Sequence, residues 1–353
     1  MTGVLRIIEP GLATTVQDRG RPGLQRFGVP PAGAVDGEGL ALALALAGAD
    51  GDAACGAAAL ECRVAGPVIE AEAAPVRVAF AGAEVAMRLN RSDGTAEPLG
   101  GWQSVTLMPG DRLAVGPLSG SITGYLAVAG GIMVDPVMGS RSTLTRAGIG
   151  GLDGRALAPG DRLLAGGLPM GPERGMAAPD DWLPARDTAL NVHVVMGPQD
   201  DHVTPPSRAS FLGAEWRVSA RSDRMGLRLE GPVLSHETEA GRGADIVSDG
   251  IVTGAVQVPG SGQPILLLVD RQTSGGYAKI AAVISADLAR LGRLGPGAAI
   301  RFTATDAVQG AARARAAAAR LQALIDGIAP LKGGLDLAAL YRENLITAPI
   351  DDL

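Results

Sequence analysis

The chain has 353 residues, with 31 Lys and Arg against 37 Asp and Glu and a formal net charge of −6. An acidic chain whose arginines are not clustered argues against nucleic acid or an anionic membrane surface as the main partner. A chain of this length can bury roughly 75% of its unfolded surface and usually divides into two domains. Cys55 and Cys62 are too few for a disulfide framework or a zinc site.

The first residues, MTGVLRIIEPG, lack a basic and then apolar leader. The longest alanine–leucine run, 40–47, is well short of the ~18 apolar residues that a membrane span needs. These features predict a cytoplasmic protein with no membrane partner.

Short segments that alternate apolar and polar residues recur along the chain between Gly, Pro and Asp turns. The clearest segments are 76–81, 104–108, 112–116, 121–131, 191–197 and 265–270. Period 2 with frequent turns predicts short strands in a sandwich or barrel. The motif L-x-Pro-Gly-Asp-Arg-Leu occurs in 107–116 and 157–166, with a looser copy in 294–302. It predicts type II turns that begin strands, although Pro-Gly-Asp is also a common hairpin turn.

Helices are predicted at three places. The segment 36–48 begins with Asp36 as N-cap. Asp306 caps the strongest helix, 306–328, in which alanines fill the middle and apolar residues recur at 3–4 spacing. A short helix is predicted at 335–343.

The stretch 167–190 is rich in Pro and Gly and lacks periodicity, which is typical of a linker. It divides the chain into an N-terminal β domain, 1–166, and a C-terminal β domain, 191–305. Residues 306–353 then form a C-terminal helical extension.

The segment 248–288 crowds polar side chains between apolar strands and glycines. It contains Lys279, one of only two lysines in a chain that otherwise uses arginine; the other is Lys332. A compact ammonium suits a point-charge contact better than guanidinium does. The alternative is a surface lysine in a Gly-rich turn with no special role.

Five side chains of this segment could carry chemistry. Asp249 and Asp270 are candidate general bases if burial raises the pKa of either carboxyl group toward neutral. Arg271 and Lys279 could stabilise a developing oxyanion or a phosphoryl group, and Tyr277 could donate a hydrogen bond beside them.

Several common catalytic and binding motifs are missing from the sequence. There is no Walker-type phosphate loop and no G-x-S-x-G elbow. The three histidines are scattered and form no metal-ligand pattern, so no metal is predicted; they are His193, His202 and His236.

Five stretches, in order along the chain, resemble the biotin-dependent carboxyltransferase family, also called the allophanate hydrolase subunit 2 family. The strongest is SDGI…GAVQVP…GQPILLLVDRQTSGGYAKIA…ISADL within 248–288. The others are TTVQDRGRPGLQRFGVPPAGAVD (14–36), GGIMVDPVMGSRSTLTRAGIGGLDGRAL (130–157), SDRMGLRLEG (222–231) and the weaker GPQDDHV (197–203). The resemblance covers nearly all the chain.

The resemblance implies a mainly β fold, with two cyclophilin-like β-barrel domains, few helices and a C-terminal helix. It points to Lys279, Asp249 and Arg271 as catalytic residues. The substrate-binding residues expected from its motifs are Gln257, Tyr277, Gly275, Gly276, Arg224, Gln17, Arg19, Ser140 and Arg141. For the N-terminal motif a purely structural role is an equal alternative, since a buried Arg–Asp pair is often architecture.

Family membership also implies a function. Members include the C-type subunit of bacterial 5-oxoprolinase, an enzyme that opens 5-oxo-L-proline to L-glutamate with ATP hydrolysis. That reaction implies two partners: a B-type subunit, related to allophanate hydrolase subunit 1, and an A-type subunit that handles the lactam. ATP would be used by the complex, because this chain has no nucleotide motif.

Two alternatives remain open. One is carboxyl transfer to a urea-like amide with carboxybiotin supplied by a partner. This chain has no biotin acceptor of its own, since the nearest match to the Ala-Met-Lys-Met turn, 86–89, has arginine in place of lysine. The other alternative is a non-catalytic regulator that binds a partner resembling the B-type subunit or a kinase inhibitor.

Overall fold

The computed structural model describes residues 3–49, 56–167, 171–182, 188–238 and 242–331. These residues form twenty-three short strands and four α-helices, which confirms the mainly β prediction. The short helix predicted at 335–343 lies outside the described residues, as do Cys55 and Lys332.

Fourteen strands form two seven-stranded sheets in which the described strands pair antiparallel. They are β1 (Val4–Glu9), β2 (Thr15–Gln17), β3 (Ala59–Arg63), β4 (Val68–Glu72), β5 (Val76–Ala81), β6 (Glu84–Asn90), β7 (Ala96–Gly100), β8 (Gln103–Leu107), β9 (Arg112–Ser119), β10 (Thr123–Val128), β11 (Ile132–Met133), β12 (Arg162–Ala165), β13 (Arg174–Gly175) and β23 (Ala329–Pro330). The strand orders are β11-β12-β1-β4-β9-β6-β7 and β2-β3-β10-β5-β8-β13-β23. One apolar core takes side chains from both sheets, for example Ile7 from the first and Phe80 from the second.

Seven further strands close into a barrel in the order β14-β21-β18-β19-β16-β15-β22. They are β14 (Leu190–Met196), β15 (Trp216–Val218), β16 (Gly226–Glu230), β18 (Ala255–Gln257), β19 (Ile265–Leu267), β21 (Lys279–Val283) and β22 (Ala299–Ala304). The parallel pair β14–β22 closes the barrel around its own core. A separate two-stranded ribbon is formed by β17 (Asp245–Gly250) and β20 (Ser274–Tyr277).

The helices are α1 (Gly37–Ala47), α2 (Pro205–Gly213), α3 (Ser285–Leu291) and α4 (Ala307–Asp326). The predicted caps of α1 and α4 are confirmed. The Asp36 side chain accepts hydrogen bonds from two backbone N–H groups, and the Asp306 side chain accepts one from the backbone N–H of Gln309. The shorter α2 and α3 were not predicted. Within the described residues, no helix combines the length and the hydropathy that a membrane crossing requires.

The repeated Pro-Gly turns behave as the sequence predicts. Gly110, Gly160 and Gly297 have φ values of +90°, +88° and +83°, the left-handed region that the third position of a type II turn requires. Each turn is followed directly by a strand: β9, β12 or β22.

Two arginines, Arg224 and the buried Arg293, join the sheets to the barrel along a surface that we call the seam. Arg224 binds Glu61 of β3 and Asp270, and it also donates to the carbonyl of Gly33. Arg293 binds Asp36 and Glu38 at the start of α1. The two halves are therefore held by matched charges in addition to apolar contacts.

Residues 171–182 of the predicted linker, 167–190, pack on the N-terminal half. β13 pairs with β8 and with β23, and the Trp182 indole donates to the carbonyl of Gly82 at 2.8 Å. The domain boundaries themselves remain predictions.

Candidate functional site

A group of residues lies where the ribbon meets the barrel, and we call it the donor cluster: Gln257 and Lys279, with Asp249 and Gly275, and also Arg271, which is linked to the group through its hydrogen bond to Ile251, the neighbour of Gly275. Gln257 of β18 is paired with Lys279 of β21 at a β-bulge, and Asp249 of β17 is paired with Gly275 of β20. Bulges often redirect side chains beside active sites. The polar part of the segment 248–288 therefore folds into one local structure.

Lys279 is buried, with 7% of its side chain exposed, and its Nζ lies 3.1 Å from Oδ2 of Asp249. Asp249 is 56% exposed, so the pair reaches from the interior to the surface. An ammonium has three donor positions. Nζ makes this ion pair but no well-directed hydrogen bond among the described residues, which leaves it able to bind a further acceptor.

Arg271 is 1% exposed and has no carboxylate in contact among the described residues. Its Nη2 donates to the carbonyl of Ile251 at 3.0 Å, while Nε and Nη1 have no partner there. Burial lowers the pKa of Arg271 to about 10, so the guanidinium keeps its charge at neutral pH. Gln257 is also buried, and its Nε2 has no partner in the described part of the chain.

Gly275 is required by the close approach of the ribbon. A Cβ on Gly275 would lie 2.7 Å from Cδ1 of Ile251 and 3.0 Å from Nε2 of Gln257. Gly276 has more room, since its nearest neighbour would be the carbonyl oxygen of Ile246 at 3.3 Å. Tyr277, at the other end of the pairing opposite Asp245, is 41% exposed.

An open groove of about 720 Å³ runs along β17 beside Lys279 and Asp249. Its walls include Gln199 and His202, which belong to the weakest of the five motifs and were not predicted as site residues. Oε1 of Gln199 accepts from the backbone N–H of Lys279 at 3.3 Å. The groove gives a ligand a route to the exposed end of the ion pair.

The two candidate general bases, Asp249 and Asp270, lie in different surroundings. The ammonium of Lys279, 3.1 Å away, lowers the pKa of Asp249, so its carboxylate stays ionised at neutral pH. Burial raises the pKa of Asp270, but both its oxygens bind Arg224. The geometry makes Asp249 the counter-ion of Lys279.

The residues predicted from the N-terminal motifs have structural partners and do not join the donor cluster. Gln17 donates to Thr15 and to the carbonyl of Thr143. Asp18 accepts from the hydroxyl of Ser140 and from the backbone N–H of Arg141, which organises the loop. Substrate binding by Gln17, Ser140 and Arg141 stays a prediction.

Arg224 and Arg19 also lie apart from the donor cluster. The guanidinium of Arg224 is fully engaged at the seam: burial would lower its pKa, but Glu61 and Asp270 raise it. These contacts give Arg224 a structural role, and its predicted role in substrate binding stays a prediction. Arg19 lines a mainly apolar cleft of about 470 Å³ between the N-terminal loops, α3 and α4.

No group of three or more His, Cys, Asp or Glu side chains in the described ranges is placed to hold a metal ion. The unpaired groups of the donor cluster are N–H donors, which suit an anionic oxygen instead.

Comparison with known proteins agrees with the sequence motifs. Residues 27–304 match the family model described as carboxyltransferase domain, subdomain A and B. The chain belongs to this family.

Two relatives are named as the C subunit of 5-oxoprolinase. The Escherichia coli protein is 36% identical over 299 residues, which cover 85% of this chain and 90% of the relative. The Haemophilus influenzae protein is 33% identical and covers 88% of this chain and 94% of the relative.

Among solved structures, Kluyveromyces lactis urea carboxylase superposes with a TM-score of 0.80 at 28% identity. The match covers 93% of this chain but only 30% of that longer chain. The described fold thus corresponds to one part of a larger enzyme there.

Proposed function

We propose that this chain is a subunit of an ATP-dependent 5-oxoprolinase complex that opens 5-oxo-L-proline to L-glutamate. The two relatives named as C subunits of 5-oxoprolinase support this proposal, because the match spans about nine tenths of their length. The observation that carries it within the site is the donor cluster, where Gln257, Arg271 and Lys279 each have an N–H group with no hydrogen-bond partner among the described residues.

Opening a lactam places negative charge on the carbonyl oxygen as the amide carbon is attacked. Preorganised donors in a site that excludes water stabilise such charge, and one donor is typically worth about 10²–10³ in rate. Lys279 and Gln257 are suited to this oxygen. Arg271 suits the substrate carboxylate, which a guanidinium can bind through two parallel hydrogen bonds.

The proposed complex supplies what this chain lacks. Its sequence has no nucleotide motif, so a partner contributes to ATP use. We propose a B-type partner, related to allophanate hydrolase subunit 1, and an A-type partner that handles the lactam. No biotin is attached to Lys279 in this proposal, since a buried side chain in β21 is a poor acceptor for a carrier group.

A second candidate is carboxyl transfer to a urea-like amide, with carboxybiotin supplied by a partner. The fold match to urea carboxylase favours it. The same donors could hold the carboxylate of carboxybiotin. A purely regulatory role is a third candidate, in which the groove beside Lys279 would be a partner contact.

The test is ATP-dependent glutamate release from 5-oxoproline by this chain co-purified with its candidate A-type and B-type partners. Turnover that disappears when this chain is omitted supports the oxoprolinase proposal. A stable complex without turnover contradicts it. Carboxylation of urea by the same preparation, with a carboxylated biotin carrier, would then support the second candidate.

A further inference from the structure

The backbone N–H of Lys279 is bonded by a side chain rather than by a neighbouring strand. β14 pairs with β21 only as far as Met196 and Ala281, and Lys279 lies beyond this end of the pairing. There the N–H donates to Oε1 of Gln199 at 3.3 Å. The start of β21, which carries the lysine of the donor cluster, is therefore held by Gln199.

The turn that carries Gln199 is itself fixed against β21. The backbone N–H of Gly197 donates to the carbonyl of Ile280 at 2.8 Å. A Cβ on Gly197 would lie 2.2 Å from the carbonyl oxygen of Lys279, so only glycine permits this close approach. The carbonyl of Gln199 also accepts from the N–H of His202 at 3.2 Å, as part of a short 3-10 turn. The side chain of Gln199 is thus presented from an ordered segment.

Gln199 also reaches the other partner of the ion pair. It lines the open groove together with Asp249, whose side chain is 56% exposed. A glutamine amide has an acceptor oxygen and an NH2 group with two donors. Since Oε1 accepts from the N–H of Lys279, Nε2 is the atom left to donate to Asp249. The pKa of Asp249 agrees with this assignment, because it is lowered mainly by Lys279 and to a smaller degree by a hydrogen bond from Gln199.

The ion pair needs such support to keep one geometry. Nζ of Lys279 lies 3.1 Å from Oδ2 of Asp249 but makes no well-directed hydrogen bond among the described residues. An exposed carboxylate is held weakly by a single ion pair, since solvent screens the attraction and fixing the side chains costs entropy. A third side chain that binds both partners restricts where the ammonium can lie.

We propose that Gln199 is a positioning residue, which aligns Lys279 with Asp249 and so directs the ammonium toward the oxyanion. This inference rests on the proposed function, because the oxyanion belongs to that reaction. Gln199 does not contact the reacting atoms in this proposal and acts through Lys279. Misplacement of a catalytic group by about 1 Å can cost about 10² in rate.

Kinetics of the assembled complex test the proposal through Gln199→Met, which removes the amide but keeps an apolar stem. Gln199 is only partly buried, so we expect the variant to fold. We expect kcat for glutamate release to fall about tenfold or more and KM to change by less than about twofold, because alignment acts on the transition state. Gln322→Met, at an exposed position of α4, is the matched control and should leave both constants unchanged. An unchanged kcat for Gln199→Met would overturn the proposal.

NMR of the isolated chain tests the positioning role separately from the proposed function. Labelling with ¹³C-lysine gives two Cε resonances, because the chain has two lysines, and Lys332→Arg assigns them. The Lys279 resonance should show an inflection at acid pH, where Asp249 takes up a proton, and Gln199→Met should move this inflection to higher pH. An inflection at the same pH in both proteins would overturn the positioning role. If the inflection moves but the wild-type complex releases no glutamate, the proposed function fails and the alignment of Lys279 by Gln199 stands.

Discussion

Replacing Arg224 with methionine tests whether matched charges hold the seam together. The side chain is 14% exposed and binds Glu61 and Asp270, whose side chains are 1% and 6% exposed. Removing the cation leaves two buried carboxylates without their counter-ion. Breaking a buried pair in this way typically costs about 3–5 kcal/mol of unfolding free energy. Urea denaturation at pH 7.5 measures the loss, with Arg228→Met, at an exposed position of β16, as the matched control at about 0.5 kcal/mol or less.

The pH dependence of this variant is a second check. Burial already raises the pKa of Asp270 in the wild type above its value in the unfolded chain. Protonation of Asp270 therefore stabilises the folded state at low pH, and this stabilisation is lost as the pH rises through the folded pKa. Without Arg224 that pKa rises further. The deficit of Arg224→Met should therefore shrink between pH 7.5 and pH 5. A loss no larger than that of the Arg228→Met control, or a deficit that grows on acidification, would refute the reasoning.

Three further predictions concern the site and the linker. Asp249→Asn should leave the acid limb of the pH–rate profile of the assembled complex unchanged. The reason is that Lys279 lowers the pKa of Asp249, so the carboxylate stays ionised over that pH range. A shifted acid limb would instead support Asp249 as a general base. Gly275→Ala should lower turnover with little change in complex formation, since its Cβ would displace Gln257; unchanged kinetics would contradict this. Trp182→Ala should lower the unfolding free energy by about 3–5 kcal/mol in urea melts, and Trp182→Phe should lower it by less. Equal small losses for the two variants would show that the linker contributes little to the stability of the fold.

Local signals predicted the elements that carry strong boundary residues. Asp36 and Asp306 mark the starts of α1 and α4, and the Pro-Gly turns mark the starts of three strands. The helices α2 and α3 were missed because nine and seven residues give too few turns for a periodic pattern. For α2, Thr204 followed by Pro205 was a usable start signal.

The site was predictable only in part, for a physical reason. Asp249, Gln257, Arg271 and Lys279 share one segment, so the sequence could group them. Which arginine is neutralised depends on residues far away in the chain: Arg224 meets Glu61 across 163 positions. Sequence spacing carries no information on such contacts, and so the charge partners of Arg224 could not be predicted.

The most direct test of the central claim is turnover by the assembled complex carrying Lys279→Met. Methionine keeps an unbranched apolar stem, one atom shorter, and removes the ammonium donor. If the donor cluster stabilises the oxyanion, glutamate release falls by about 10² or more, with the complex still eluting as one species in size-exclusion chromatography. Turnover near the wild-type rate would contradict this role. Loss of the complex itself would also contradict it, because Lys279 would then be a contact with the partner.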